Sequence, residues 1–154
     1  MLLGEHAVLH GRQSVVCAVN QRIHITVYPR QDSHISIHSE LGQLQTDLKQ
    51  LEMVPAFRFV LATLQKFQTE LAHGFELNIE SDFDSTVGLG SSSAVTASMA
   101  LACYALLDRA IQPQPLFEDS LEIVRTVQET GSGADLVASV FGGLLLYRQT
   151  PLQI

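Results

Sequence analysis

Residues 88–93 read Gly-Leu-Gly-Ser-Ser-Ser and lead directly into a stretch of small, helix-forming residues. Glycines accept positive φ angles and let a ligand approach the backbone closely. The first N–H groups of a helix, and the positive end of its dipole, would then face that ligand. Serine hydroxyls in the same turn add oxygens for a helix cap, a phosphate or a Mg²⁺ ion. Two outcomes fit these residues: a phosphate cradle, or a serine-capped helix behind a flexible turn. No Lys follows the second glycine, so this is not the Walker loop. A second segment, residues 131–143, sets a single acid, Asp135, at an expected helix start among small residues, where it serves either as a cap or in chemistry. A third, Gly4-Glu-His-Ala-Val-Leu-His-Gly11, holds a carboxylate and two imidazoles between glycines in a turn-like box. His6 there is either a site residue or a turn residue bonded to backbone.

The elements that must position these segments follow from periodicity. Val15 to Val19 reads as a buried apolar run, and Ile23, Ile25 and Val27 alternate with polar residues until Pro29. Ile35 and Ile37 repeat the alternation, and a polar connection is expected from Leu41-Gly42. Pro55 marks a first-turn proline for a helix carrying Phe59, Val60, Leu64, Phe67 and Leu71, which ends at Gly74. Phe75, Leu77 and Ile79 form another alternating strand, closed by the acidic turn at 81–84. Helices are expected over Ala94–Leu107, Leu116–Gln128 and Leu136–Val140, and a last strand over Gly143–Tyr147. Strands first and helices later predict an α+β fold, a mixed β-sheet with helices on one face.

With 154 residues, 46% of them hydrophobic, the chain has the size and composition of one folded domain. A formal charge of -7 and scattered basic residues argue against nucleic acid and anionic membrane as partners. Cys17 and Cys103 sit in apolar settings and read as reduced core thiols, which suits a cytoplasmic protein. Neither a signal peptide nor a membrane span is apparent.

Taken in order, the three segments resemble those of the GHMP kinase superfamily, most of all its mevalonate kinase branch. Gly4–Gly11 is similar to that branch's first motif and Val87–Val95 to the phosphate loop. There, Ser85 and Thr86 stand where prolines are usual, and Ser93 replaces an alanine. Residues 131–143 resemble the Ser-Gly-x-Asp segment, with a lead reminiscent of phosphomevalonate kinases. The resemblance implies an N-terminal domain of the ribosomal protein S5 domain 2-like type, ATP and Mg²⁺ as cofactors, and γ-phosphoryl transfer to a small-molecule hydroxyl. Mevalonate, giving 5-phosphomevalonate, is the first candidate acceptor; phosphomevalonate, a sugar, or a non-catalytic binding role are the alternatives. It further implies Asp135 as the catalytic acid–base or orienting group, and Gly88, Leu89, Gly90, Ser91 and Ser92 around the nucleotide phosphates. Ser92 and Glu129 (or Glu122) would touch Mg²⁺, and Glu5 and His6 would lie at the acceptor end.

Two departures from the family pattern shape the expectation for these 154 residues. The family's lysine ahead of the Gly-Glu-His box has no assignable counterpart, and the late glycine-rich motif of the second domain is missing. The expectation is an N-terminal ATP-binding domain with little phosphotransfer alone, paired as a homodimer or with a separate C-terminal half.

Overall fold

Alternating side chains sort the larger sheet into one apolar and one polar face. The computed structural model describes residues 1–84, 88–128 and 131–154. Among them, strands β2 (Ile23–Pro29), β3 (His34–Ser39), β4 (Gly42–Asp47) and β5 (Phe75–Ser81) form a four-stranded mixed sheet in the order β2-β5-β3-β4. β3 runs parallel to β5 with Ile35 opposite Phe75 and Ile37 opposite Leu77, while Val27 of antiparallel β2 also faces Leu77. These side chains share one face, as a period of two requires. The opposite face carries polar pairs such as Ser36 with Gln45, whose side chains hydrogen bond at 2.8 Å.

The helices cover the apolar face. α2 (Arg58–Phe67), entered through a 3-10 turn at Pro55–Phe57, buries Val60, Leu61, Leu64 and Phe67. α3 (Ser91–Leu106) and α4 (Pro113–Gln128) pack beside it, and one core cluster joins Ile35, Ile37, Phe75 and Leu77 to Leu61, Leu64, Met99, Cys103 and Leu116. Burial pushes the Cys103 thiol up to about 12, so it stays protonated. The mixed sheet with helices on one face is thus realised.

The remaining strands form a second unit. β1 (Ser14–Cys17) and β6 (Leu144–Tyr147) pair antiparallel as a two-stranded sheet, with Ser14 opposite Tyr147. α5 (Ala134–Phe141) packs against both, and α1 (Glu5–Val8) against β1.

Three expectations need correction. The polar connection after Leu41 is a two-residue hairpin leading into β4, which reads Gly-Gln-Leu-Gln-Thr-Asp and pairs with β3 from Ser39–Gly42 to His34–Asp47. Cys17 is not a core thiol: it is exposed on the outward face of β1, where its partner is Leu144, and Val19 is 53% exposed beyond the strand's end. Gly4–Gly11 is not only a turn, because it contains the short helix α1.

Gly74, at the entrance to β5, fixes how closely the chain passes β3. A Cβ there would lie 1.9 Å from the His34 carbonyl oxygen, and the Gly74 N–H donates to the Asp32 carbonyl at 2.6 Å. The obstacle is backbone, so a side-chain rotation cannot relieve it. Gly74→Ala is expected to lower unfolding stability by about 3 kcal/mol. The check is the urea midpoint at constant slope; a midpoint within error of the parent's would contradict this packing.

Candidate active site

Each of the three chemistry-bearing segments opens a helix behind a left-handed glycine. Gly90 (φ 77°) precedes α3, Gly133 (φ 77°) precedes α5, and Gly4 (φ 88°) precedes α1; none of the three provides a side-chain cap. Left-handed backbone is the region that favours glycine. At α3 the first intrahelical bond runs from the Ala94 N–H to the Gly90 carbonyl at 3.0 Å. Helix geometry therefore leaves the N–H groups of Ser91, Ser92 and Ser93 without an intrahelical acceptor. Ser93 is buried, whereas Ser91 and Ser92 are half-buried, so the more accessible hydroxyls of this turn belong to Ser91 and Ser92. Gly88 (φ 73°) and Leu89 (44% exposed) complete an open approach to the helix end.

Asp135 lies against that end. It sits in the first turn of α5, exposed, and a Cβ built on Gly90 would fall 2.9 Å from its Cβ, 3.0 Å from its Cγ and 3.2 Å from its Oδ2. Only a residue without a side chain permits this approach. The positive end of the α5 dipole favours a carboxylate at this position. The α5 start is held by Ser132, whose Oγ accepts the Ala134 N–H at 3.3 Å, and by the Val137 N–H to Gly133 carbonyl bond at 3.0 Å.

Glu5 and His6 are exposed on α1. Their tie to the α3–α5 corner is Val8, which is fully buried in the cluster that holds Ala97 of α3 and Ala134, Leu136 and Val137 of α5. Gly4 seats α1 on β1, since a Cβ there would meet the Ser14 Cα at 2.8 Å. Glu129 lies outside the described residues, as do Ser85 and Thr86. Glu122 is on α4 with its carboxylate 2.7 Å from the Lys66 ammonium of α2. Among the described residues no cluster of three His, Cys, Asp or Glu is placed to hold a metal ion by itself. A groove of about 590 Å³ between β2 and α3 contains none of the expected site residues. No described helix is long and apolar enough to cross a membrane.

Two features of the site escaped sequence reasoning: the contact between Gly90 and Asp135, and the hydrogen bond from the buried Tyr147 hydroxyl to the Ser132 carbonyl just ahead of α5. The glycines at 131 and 133 hinted at unusual backbone there, but nothing local points to a tyrosine fourteen positions after Gly133.

A model of the GHMP kinases N-terminal domain matches residues 56–143, which contain both the α3 opening and Asp135. The chain belongs to the GHMP kinase family. This GHMP kinase domain is 32% identical to the mevalonate kinase of Archaeoglobus fulgidus over 148 residues, covering 96% of the chain and 49% of that protein. It is 26% identical to the phosphomevalonate kinase of Saccharolobus solfataricus, over 97% of the chain and 48% of that protein. The crystal structure of Methanococcus jannaschii mevalonate kinase superposes with a TM-score of 0.86 at 22% identity, over 99% of this chain and 51% of that one. Lactococcus lactis galactokinase, complexed with galactose, gives a TM-score of 0.88 at 19% identity, over 99% and 43%. The GHMP kinase domain thus has the ribosomal protein S5 domain 2-like fold of these enzymes and spans about half the length of the curated relatives it matches.

Proposed function

We propose that residues 1–154 form the N-terminal, ATP-binding domain of a kinase that transfers the γ-phosphoryl group of ATP to mevalonate. The observation that carries the reading is the apposition of Asp135 to the glycine-opened start of α3. A carboxylate at van der Waals distance from a phosphate-binding helix end is where an acceptor hydroxyl must sit to attack a terminal phosphate.

Gly88, Leu89, Gly90, Ser91 and Ser92 bind the phosphates, chiefly through backbone N–H groups. The donor set fits ATP because the cradle is open, left-handed and serine-bearing. Mg²⁺ prefers oxygen ligands and would neutralise phosphate charge; the half-buried Ser92 hydroxyl would offer it one protein oxygen, and Glu129, outside the described residues, would offer another. Glu5 and His6 orient the acceptor. Asp135 directs the mevalonate hydroxyl and accepts its proton as the new O–P bond forms and the bond to the leaving ADP breaks. Most of the catalysis is positioning and charge neutralisation rather than covalent chemistry. Cytoplasmic location belongs to the same proposal. So does pairing with another polypeptide surface, in a homodimer or with a C-terminal half. The outward face of β1 and β6, where Leu144 is 66% and Leu146 48% exposed, supports such a contact.

Incubating the full-length protein with ATP, Mg²⁺ and mevalonate should yield 5-phosphomevalonate and ADP in equal amounts, resolved by mass. Phosphomevalonate is the second acceptor to offer, because the Saccharolobus solfataricus relative matches over nearly the same span. Turnover with neither acceptor would reject the assignment.

A further inference from the structure

Tyr147 is fully buried on β6, and its hydroxyl donates to the carbonyl of Ser132, the residue that also accepts the first N–H of α5 through its side chain. The same hydroxyl would stand 3.0 Å from a Cβ on Gly133, while Leu121 of α4 closes the other side at 2.9 Å. The ring is fixed edge-on against Phe117, with centroids 6.5 Å apart. Its backbone is fixed too, because the Ser14 hydroxyl donates to the Tyr147 carbonyl at 3.3 Å across the β1–β6 pair. Ser14 is in turn the residue on which Gly4, the start of α1, is packed.

A continuous line of contacts therefore runs from α1 through Ser14 and Tyr147 to Gly133, Asp135 and Gly90. A buried hydroxyl is costly to leave unpaired, so it holds its acceptor in one place. We infer that Tyr147 is a positioning residue: its hydroxyl holds the Ser132–Gly133 backbone so that α5 begins where Asp135 meets the start of α3. Tyr147 touches neither Asp135 nor the cradle and acts only through the residues ahead of α5. Burial raises its pKa, which keeps the hydroxyl a donor across the working pH range.

The inference rests on the proposed kinase reading for its kinetic consequence alone; its structural consequence is read separately. Tyr147→Phe deletes one oxygen and keeps the ring. Tyr104→Phe is the control, because it deletes a comparable part-buried hydroxyl, bonded to Asp119 at 2.7 Å and away from α5. In Tyr147→Phe, hydrogen exchange at the Val137 amide should accelerate about tenfold while amides in the middle of α3 keep their parent rates. In the full-length enzyme kcat should fall about tenfold with KM for MgATP within about twofold, and Tyr104→Phe should show neither change. Unchanged exchange in Tyr147→Phe, or equal acceleration in both variants and throughout α3, overturns the positioning role. Local acceleration without loss of kcat in an active enzyme also overturns it. A parent protein without phosphotransfer rejects the kinase reading instead, and the exchange result then decides the role of Tyr147. Should Tyr147→Phe fail to fold, Ser14→Ala, which frees the Tyr147 carbonyl while keeping the Cα and Cβ on which Gly4 packs, must accelerate the Val137 amide and spare the middle of α3, and unchanged exchange there overturns the inference.

Discussion

On the proposed mechanism, Asp135→Asn is expected to lower the turnover number of the full-length protein by roughly 100-fold or more. The amide keeps the size and hydrogen-bonding reach of the acid but loses its charge and its capacity to take a proton. The dipole of α5 loses a favourable first-turn anion, worth about 0.3–1 kcal/mol for an exposed group, so the fold should survive. Asp135 is placed by the backbone, with Gly133 just before it and Gly90 against it, and no side chain among the described residues hydrogen bonds to its carboxylate. The substitution should accordingly leave the α3–α5 corner in place and KM for MgATP nearly unchanged. Loss confined to kcat marks a group used in the transition state, whereas a matching rise in KM would mark ground-state binding. Near-parental turnover would return Asp135 to the role of a helix-start acid and remove the main support for the mechanism.

How far the molecule was legible depends on whether its determinants are local. α3 was readable because both the glycines and the small-residue run lie within one stretch, and the helix begins at Ser91, with the three serines as its first turn. β2, β3 and β5 were readable because each alternates apolar and polar residues on a half-buried sheet. β4 was not: Leu44 is its one large apolar residue, since an edge strand facing solvent has little to bury. The separation of β1 and β6 into their own sheet was equally hidden. Their pairing joins Ser14 to Tyr147, and local periodicity carries no information about contacts that distant. Cys17 shows the consequence, since an apolar neighbourhood in sequence became an exposed strand face once β1 stopped at that residue. The candidate site follows the same rule. Its residue types were evident, but their meeting depends on α5 being carried to α3 by the buried cluster around Leu136, Val137 and Tyr147.

Gly90→Val should both weaken nucleotide binding and displace Asp135. Valine in left-handed backbone is strained by about 1–3 kcal/mol, because its branched Cβ crowds the adjacent carbonyl. Its Cβ would also stand 2.9 Å from the Asp135 Cβ, and the branch adds further bulk toward the carboxylate. The chain can relieve this only by rotating the start of α3 or by moving α5 away. Rotating the start of α3 turns the Ser91 and Ser92 N–H groups away from the proposed phosphate site, whereas moving α5 withdraws Asp135 from it. Losing two hydrogen bonds to a charged group would weaken ATP binding by roughly 100-fold or more. A shift of about 1 Å at Asp135 would lower turnover by a similar further factor. Gly88→Ala separates the two causes. Gly88 also has positive φ (73°), yet among the described residues a Cβ there meets nothing within 4 Å, so it introduces strain without a collision with Asp135. Its loss of ATP affinity should be clearly smaller, and its turnover at saturating MgATP should stay closer to the parent's. Titration calorimetry with MgATP and a saturating-substrate assay on the two variants provide the comparison. If Gly90→Val binds ATP like the parent, the phosphates do not approach α3 at its glycine opening. If the two variants lose equal turnover, backbone strain rather than the Gly90–Asp135 contact limits the site.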